Sequence, residues 1–392
     1  MLTVEEALTR CLALLTPLPT EPVALRYAHG RMMPATATAR RDQPPFPASA
    51  MDGYAVAGDA PPGTNFTVVG QAAAGHPYDG TVTPGQAIRI FTGAPVPTGA
   101  TRVVIQEDVT RNADQITVNP NADLGPNIRP QGQDFRSGDT IPPRRLTAHD
   151  LALLAAMNLP TVPVSRRPVV ALIATGDELV MPGEDPSPSQ IIASNTFALA
   201  ALIEAEGGIA RLLPIARDTA QDLRTVLTMA LDADLIVTIG GASVGDHDLV
   251  AQVAADMGME RTFWKIAMRP GKPLMAGRLH STPMLGLPGN PVSSIVCCHL
   301  FVLPMVRALQ SRPDIAPKPR RARLAQPVEP NGPRAHYMRA RLTEGDDLPL
   351  LTPFTAQDSA LLRILSEANA LLIRPTGDNA HDRGELVTFL PL

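Results

Sequence analysis

The sequence predicts a multidomain α/β protein, with a parallel-rich sheet in a central domain and small β-rich domains flanking it. Three observations predict this. The chain has 392 residues, more than one hydrophobic core usually organises. From Arg167 onward, strand-like and helix-like apolar runs alternate, the rhythm of a parallel sheet covered by helices. Elsewhere, short β-prone runs are separated by Gly, Pro and Asn turns, as in small all-β modules.

At the N-terminus, Thr3-Val4-Glu5-Glu6 is a capping-box pattern before Ala7, Leu8, Cys11, Leu12 and Leu15 at helical spacing, and Pro17 and Pro19 stop the run. Residues 41–139 then carry β-prone runs such as Phe66-Thr67-Val68-Val69 and Arg102-Val103-Val104-Ile105. Thr147 caps a helix that continues to Met157, and Thr161 to Val164 forms a brief strand. In the α/β stretch, strands are expected at 169–174, 209–215, 235–239 and 284–287, with helices at 196–206, 220–231, 249–257 and 292–309. Phe263 to Pro273 reads as a loop between elements. A proline- and base-rich linker follows at 312–321, and then a second small β domain.

Hydrophobic residues make up 44% of the chain, enough for real cores, and the net charge is -4 with no long Lys/Arg cluster. That balance argues against nucleic acid as a partner, so an anionic ligand would need a local positive pocket. Cys11, Cys297 and Cys298 fit neither a disulfide framework nor a zinc site, which suits a reducing cytoplasm. The acidic N-terminus is unlike a signal peptide, and no apolar run is expected to be long enough to span a bilayer. The expectation is a soluble, cytoplasmic protein with no membrane partner.

Ligands of such a sheet collect at the carboxyl ends of its strands. There, Leu235 to Ile239 runs into Gly240-Gly241-Ala242-Ser243-Val244-Gly245 and then Asp246-His247-Asp248. Glycines let a backbone turn tightly and present N–H groups to an anion. Thr175-Gly176-Asp177-Glu178 places two acids after the first strand, where Mg²⁺ could bridge carboxylate and phosphate oxygens. Solvated loop acids would look the same, but Asp218, Asp246 and Asp248 recur at corresponding positions. Asp218 would equally serve as a helix cap.

Lys265, Arg269 and Lys272 supply three cations in a short span that is not a P-loop, because Pro273 stands where Ser or Thr is required. In Leu287-Pro288-Gly289-Asn290-Pro291-Val292-Ser293, Asn290 is a plausible N-cap and Pro291 a first helical residue, leaving N–H groups open to an anion. In the β module, Asp52 and Thr92 stand beside glycines, which turn chemistry alone would explain. Cys297-Cys298 lies in a helix and His247 lacks a metal-ligand partner at standard spacing, so no nucleophilic catalyst is expected.

Together, Ser49-Ala50-Met51-Asp52-Gly53-Tyr54-Ala55, Phe91-Thr92-Gly93-Ala94-Pro95, Thr175 to Leu179, Gly240 to Asp248, Pro270-Gly271-Lys272-Pro273 and Leu287 to Ser293 closely resemble the molybdopterin molybdenumtransferase family, which includes the gephyrin E domain. The likeness covers nearly the whole chain. It implies a four-part homodimer with an elongated linking domain, which uses Mg²⁺ to insert molybdenum from molybdate into adenylylated molybdopterin and releases AMP. It also implies contact with other proteins of molybdenum cofactor biosynthesis. The implied division is 1–44 with 141–164 (N-terminal helix and linking region), 45–140 (β module), 165–312 (molybdopterin-binding domain) and 319–392 (C-terminal β domain).

By the same resemblance, the functional residues are Asp52, Thr92, Asp134, Glu178, Asp218, Asp248, Lys265, Arg269 and Lys272. Glu178, Asp218 and Asp248 are the implied metal ligands. Thr175, Gly176, Asp177, Gly240, Gly241, Ser243, Gly245, Pro288, Gly289, Asn290, Pro291, Ser293, Arg334 and Ser359 are the implied cofactor-binding set. The chain departs from the family's pattern at Arg269 (usually Lys), Ile239 (often Ser), Gln133 (usually Glu), His336 and Met338.

Two other functions share the core. A molybdopterin adenylyltransferase would have the α/β domain with little beside it, whereas this chain has flanking β modules. A non-catalytic scaffold would be expected to lose the acids corresponding to Glu178, Asp218 and Asp248, and here all three are present.

Overall fold

The computed structural model describes residues 1–241, 249–345 and 347–392. It divides into two units, Met1–Glu21 with Ser165–Leu392, and Pro22–Val164.

In the first unit, a six-stranded sheet runs in the order Ile209–Leu212, Val169–Ala174, Leu235–Ile239, Thr282–Leu287, Met275–Leu279, Met259–Trp264. The first four strands are parallel, and the last two add an antiparallel edge. Val170 and Leu172 pack on one face with Leu199 and Ile203, while Ala171 and Ile173 pack on the other with Leu223, Leu227 and Val250. Burial on both faces explains why these strands read as continuous apolar runs. The helices beside them are Asn195–Ala205, Ala220–Met229 and Leu249–Asp256.

Three expectations need correction here. The strand expected at 209–215 ends at Leu212, two residues before Pro214, which has no N–H to continue a ladder. Met259–Trp264 and Met275–Leu279 are strands absent from the sequence reading. The former is an edge strand whose Glu260 and Arg261 face solvent, so it lacks the apolar signature of its neighbours. The third concerns Pro291–Leu309, which is long and apolar enough to cross a bilayer. It has 83% of its apolar window buried inside the protein, as befits a core helix. Its middle, Cys298–Val302, is π-helical.

Helix Val4–Leu12 joins the same core through Val4, Ala7 and Cys11, and its start is fixed by the reciprocal Thr3–Glu6 capping box. Near the C-terminus, Ala335–Thr343, Leu350–Pro353, Arg320–Leu324, Leu386–Pro391 and Ala370–Arg374 are paired in that order, and a further ladder between the first and last closes them into a small barrel. Met268–Arg269, from the basic loop, adds to its edge beside Ala335 and His336.

The second unit holds a six-stranded sheet, Arg102–Ile105, Gly53–Val56, Gln86–Ile90, Asn65–Ala72, Gln115–Val118 and Val109–Asn112. Gly53 is required where it stands, since a Cβ there would come within 2.0 Å of the Val104 carbonyl oxygen. Two-residue ladders and the helix Ala148–Ala156, capped by Thr147 and Asp150, complete this unit.

Candidate functional site

The loops that follow all four parallel strands meet at one cleft of about 1000 Å³. Thr175, Gly176 and Glu178 come from the first, Asp218 from the second, Gly240 and Gly241 from the third, and Pro288, Gly289, Asn290 and Pro291 from the fourth. Parallel register explains the convergence, because Ala174 pairs with Ile239 and Ile239 with Leu287, so the strand ends lie level. Gly240 N donates to Leu287 O at 3.1 Å, and Thr175 N to Ile239 O at 3.0 Å.

Each acid at this edge has a different setting. Asp177 is absent from the cleft wall, and its Oδ1 accepts from the Asp218 backbone N–H at 3.1 Å, fixing the loop that carries Asp218. Arg217 binds the same loops together by donating to the carbonyls of Asp177 and Leu179 at 3.0 and 3.1 Å. Asp218 is not the helix cap: Thr219 is, with its side chain accepting from Asp222 N. The Glu178 carboxylate folds over Gly176, whose φ is +143° and whose missing Cβ would lie 2.2 Å from Glu178 Oε2. Thr175 is 3% exposed, and its hydroxyl is buried in the cleft wall without a partner among the described residues. Ser243, Gly245 and Asp248 lie outside the described residues. Among the described residues no group of three acids, histidines or cysteines could by itself hold a metal.

Asn290 occupies the helix N-cap position without a capping hydrogen bond. Its carboxamide instead donates to Ser359 Oγ at 3.0 Å, while Val292 N donates to Ser359 O at 3.0 Å. Asn195, which the sequence pattern does not mark, donates to Gly289 O at 2.7 Å. Ser293 is buried one turn into the helix.

Lys265, Arg269 and Lys272 stand outside the cleft wall, and Lys272 directly precedes Pro273, which lines it. Their loop is tied at its base by Lys265 N to Leu274 O (3.0 Å) and Ile266 N to Lys272 O (3.1 Å). Ala267 N donates to Leu2 O at 2.8 Å, and Ala335 N donates to Ala267 O at 3.0 Å. At the loop's tip Gly271 has φ +110°, and a Cβ there would lie 2.5 Å from Cys297 Sγ. The loop is thus packed against the N-terminal segment, the core helix and the barrel.

In the barrel, Arg339 is 1% exposed and spends its donors on Gln357 Oε1 and the carbonyls of Leu361 and Ala356. It anchors the segment that carries Ser359, a role with no sequence signal beyond an arginine in an apolar alternation. His336 is buried, and its pKa is pushed down to about 4 by that burial, then by Arg269, Arg374, Arg339 and Arg334. Arg334 is outside the wall of the cleft.

The second unit brings other residues of the set together. Asp52 Oδ1 accepts from Thr92 N and Thr92 Oγ1, both at 2.7 Å, and these two bonds hold its carboxyl below the ordinary 3.8. Arg89 lies 5.1 Å from the Tyr54 ring centroid and 4.7 Å from that of Phe91, and donates to Gly53 O, bracing the same turn. Asp134 lines a separate cleft of about 560 Å³ with Phe46, Arg129, Gln133 and Gly93, the neighbour of Thr92.

Comparison with known proteins gives three family matches along the chain. Residues 2–158 match the MoeA N-terminal region (domain I and II), residues 171–308 a probable molybdopterin binding domain, and residues 321–392 the MoeA C-terminal region (domain IV). The chain is 34% identical to a molybdopterin molybdenumtransferase of Nostoc sp., over 95% of this chain and 89% of that protein. It is 36% identical to molybdopterin molybdenumtransferase 2 of Mycobacterium tuberculosis over 90% of each. The crystal structure of a molybdopterin biosynthesis moea protein from Pyrococcus horikosii is similar throughout, with a TM-score of 0.85, 30% identity, and coverage of 100% of this chain and 99% of that one.

Proposed function

Because the chain belongs to the molybdopterin molybdenumtransferase family, an enzyme family of molybdenum cofactor biosynthesis, we propose that it inserts molybdenum from molybdate into adenylylated molybdopterin and releases AMP. The observation that carries this reading is the meeting of Glu178, Asp218 and the Gly240-Gly241 backbone in one cleft, with the tied basic loop adjoining it. The carboxylates suit a divalent cation, the glycine backbone suits phosphate, and the basic loop suits an oxyanion.

Mg²⁺ commonly uses one or two protein carboxylates and takes its remaining ligands from phosphate and water. Glu178 and Asp218 fit that donor set, and the resemblance adds Asp248. When bound, the ion neutralises phosphate charge. Arg217 and Asp177 hold the Asp218 loop in place, and Asn195, Asn290 and Ser359 fix the turn at Gly289. The dithiolene sulfurs of the substrate are the nucleophiles, so the protein's part is orientation and electrostatics.

The family's homodimer is proposed for this chain as well, and light scattering at micromolar concentration would test it. An adenylyltransferase reading is weakened by the matched regions on both sides of the α/β domain. The deciding experiment incubates purified protein with adenylylated molybdopterin, molybdate and Mg²⁺, and follows AMP release together with reconstitution of an apo-molybdoenzyme. Molybdate-dependent AMP release with reconstitution is expected. Neither product forming under these conditions would overturn the proposal.

A further inference from the structure

Lys265 has an unusual setting for a surface cation. Its ammonium lies 4.3 Å from the centroid of the Trp264 ring, and the Arg261 guanidinium lies 5.3 Å from the same ring. The Lys265 backbone sits at φ +72°, where glycine or asparagine is the easier residue. A side chain kept at such a position points to use of the side chain. The Trp264 indole N–H is buried without a partner among the described residues, and the ring is held by packing against the core that includes Met275 and by its two cations.

Among the described residues, Arg261, Lys265, Arg269 and Lys272 take part in no ion pair. A chain of net charge -4 thus concentrates four cations between residues 261 and 272, none of them neutralised by an ion pair among the described residues. An indole face attracts a cation without cancelling its charge, and it replaces part of the cation's hydration. The ammonium stays available to an anion but is confined to one place, which lowers the ordering cost of binding.

We propose that Trp264 is a positioning residue, whose ring holds Lys265 and Arg261 as a cation pair that captures a tetrahedral oxyanion beside the basic loop. Lys265 contacts the anion, and Trp264 acts through it. The identity of that anion as molybdate rests on the function proposed above.

Trp264 is the only tryptophan in the chain, so its emission reports on the site directly. In the full-length protein, sodium molybdate should change Trp264 emission saturably, and Lys265→Met, which leaves the ring in place, should abolish the response. In steady-state AMP release, Trp264→Leu should raise the molybdate KM roughly 3- to 10-fold with kcat within two-fold, and Trp264→Phe should recover most of the loss, because phenylalanine keeps a weaker cation–π face. An unchanged emission response in Lys265→Met overturns the inference, as does an equal defect in the Leu and Phe variants. If Trp264→Leu does not fold, the Lys265→Met titration decides alone. A chain that releases no AMP would overturn the proposed reaction while leaving the emission titration to judge the site.

Discussion

Asn290 and Ser359, 69 residues apart, are joined by a hydrogen bond of 3.0 Å from carboxamide to hydroxyl. Asn290 belongs to the turn that opens the core helix, and Ser359 to a segment of the C-terminal domain anchored by Arg339. The backbone bond from Val292 N to Ser359 O would survive a side-chain change. Ser359→Ala should therefore cost about 1 kcal/mol or less of stability, while lowering kcat/KM several-fold by loosening the turn at Gly289. Paired urea unfolding and AMP-release kinetics would check this, and a large stability loss with normal kinetics would contradict it.

Gly176→Ala tests how the cleft positions Glu178. The added methyl would lie 2.2 Å from Glu178 Oε2 on a backbone at φ +143°, so the carboxylate must move and the turn must bear about 1–3 kcal/mol of strain. The Mg²⁺ concentration for half-maximal AMP release should rise, as it should for Glu178→Gln, which keeps the shape and removes the charge. A normal Mg²⁺ dependence in both variants would remove Glu178 from the metal-holding role.

Asp52 gives a prediction with a defined pH window. Its folded pKa is depressed by the Thr92 backbone N–H and then the Thr92 hydroxyl. Any stability from these bonds is present above the ordinary carboxylate value and is lost as pH falls through the lowered one. Thr92→Val removes the hydroxyl and leaves the N–H, so the Asp52 pKa should rise part of the way toward 3.8. Carboxyl ¹³C NMR of Asp-labelled protein would follow it. Between pH 5 and 8 Asp52 stays ionised in both forms, so a change of activity there would report lost positioning and not lost charge.

How much of this was legible in the sequence depended on the range of the interaction. The Thr3–Glu6 and Thr147–Asp150 capping boxes are local and could be read directly. The placing of Glu178 and Asp218 at one edge followed from strand–helix alternation, because parallel strands align their carboxyl ends. The Asn195 bond to Gly289, 94 residues away, and the burial of Arg339 leave no local pattern, since each depends on which surfaces meet after folding. Met259–Trp264 was missed because an edge strand needs only one covered side.

His336 should make the protein acid-sensitive in a way that one substitution can isolate. Its pKa is pushed down to about 4, first by burial and then by Arg269, Arg374, Arg339 and Arg334. In the unfolded chain the same imidazole titrates near 6.5. Between these values the unfolded state binds a proton that the folded state refuses, so stability is full above about pH 6.5 and falls as pH drops toward 4. His299 has a similarly lowered pKa from burial and contributes in the same direction, whereas His381, raised by Glu385 and Asp378, acts oppositely. His336→Gln keeps a polar side chain without a titrating ring, so it should lessen the stability lost between pH 7 and pH 5 without abolishing it. Urea unfolding of both proteins at the two pH values measures the difference. If the variant loses as much stability as the parent over that interval, His336 does not stay neutral among its arginines.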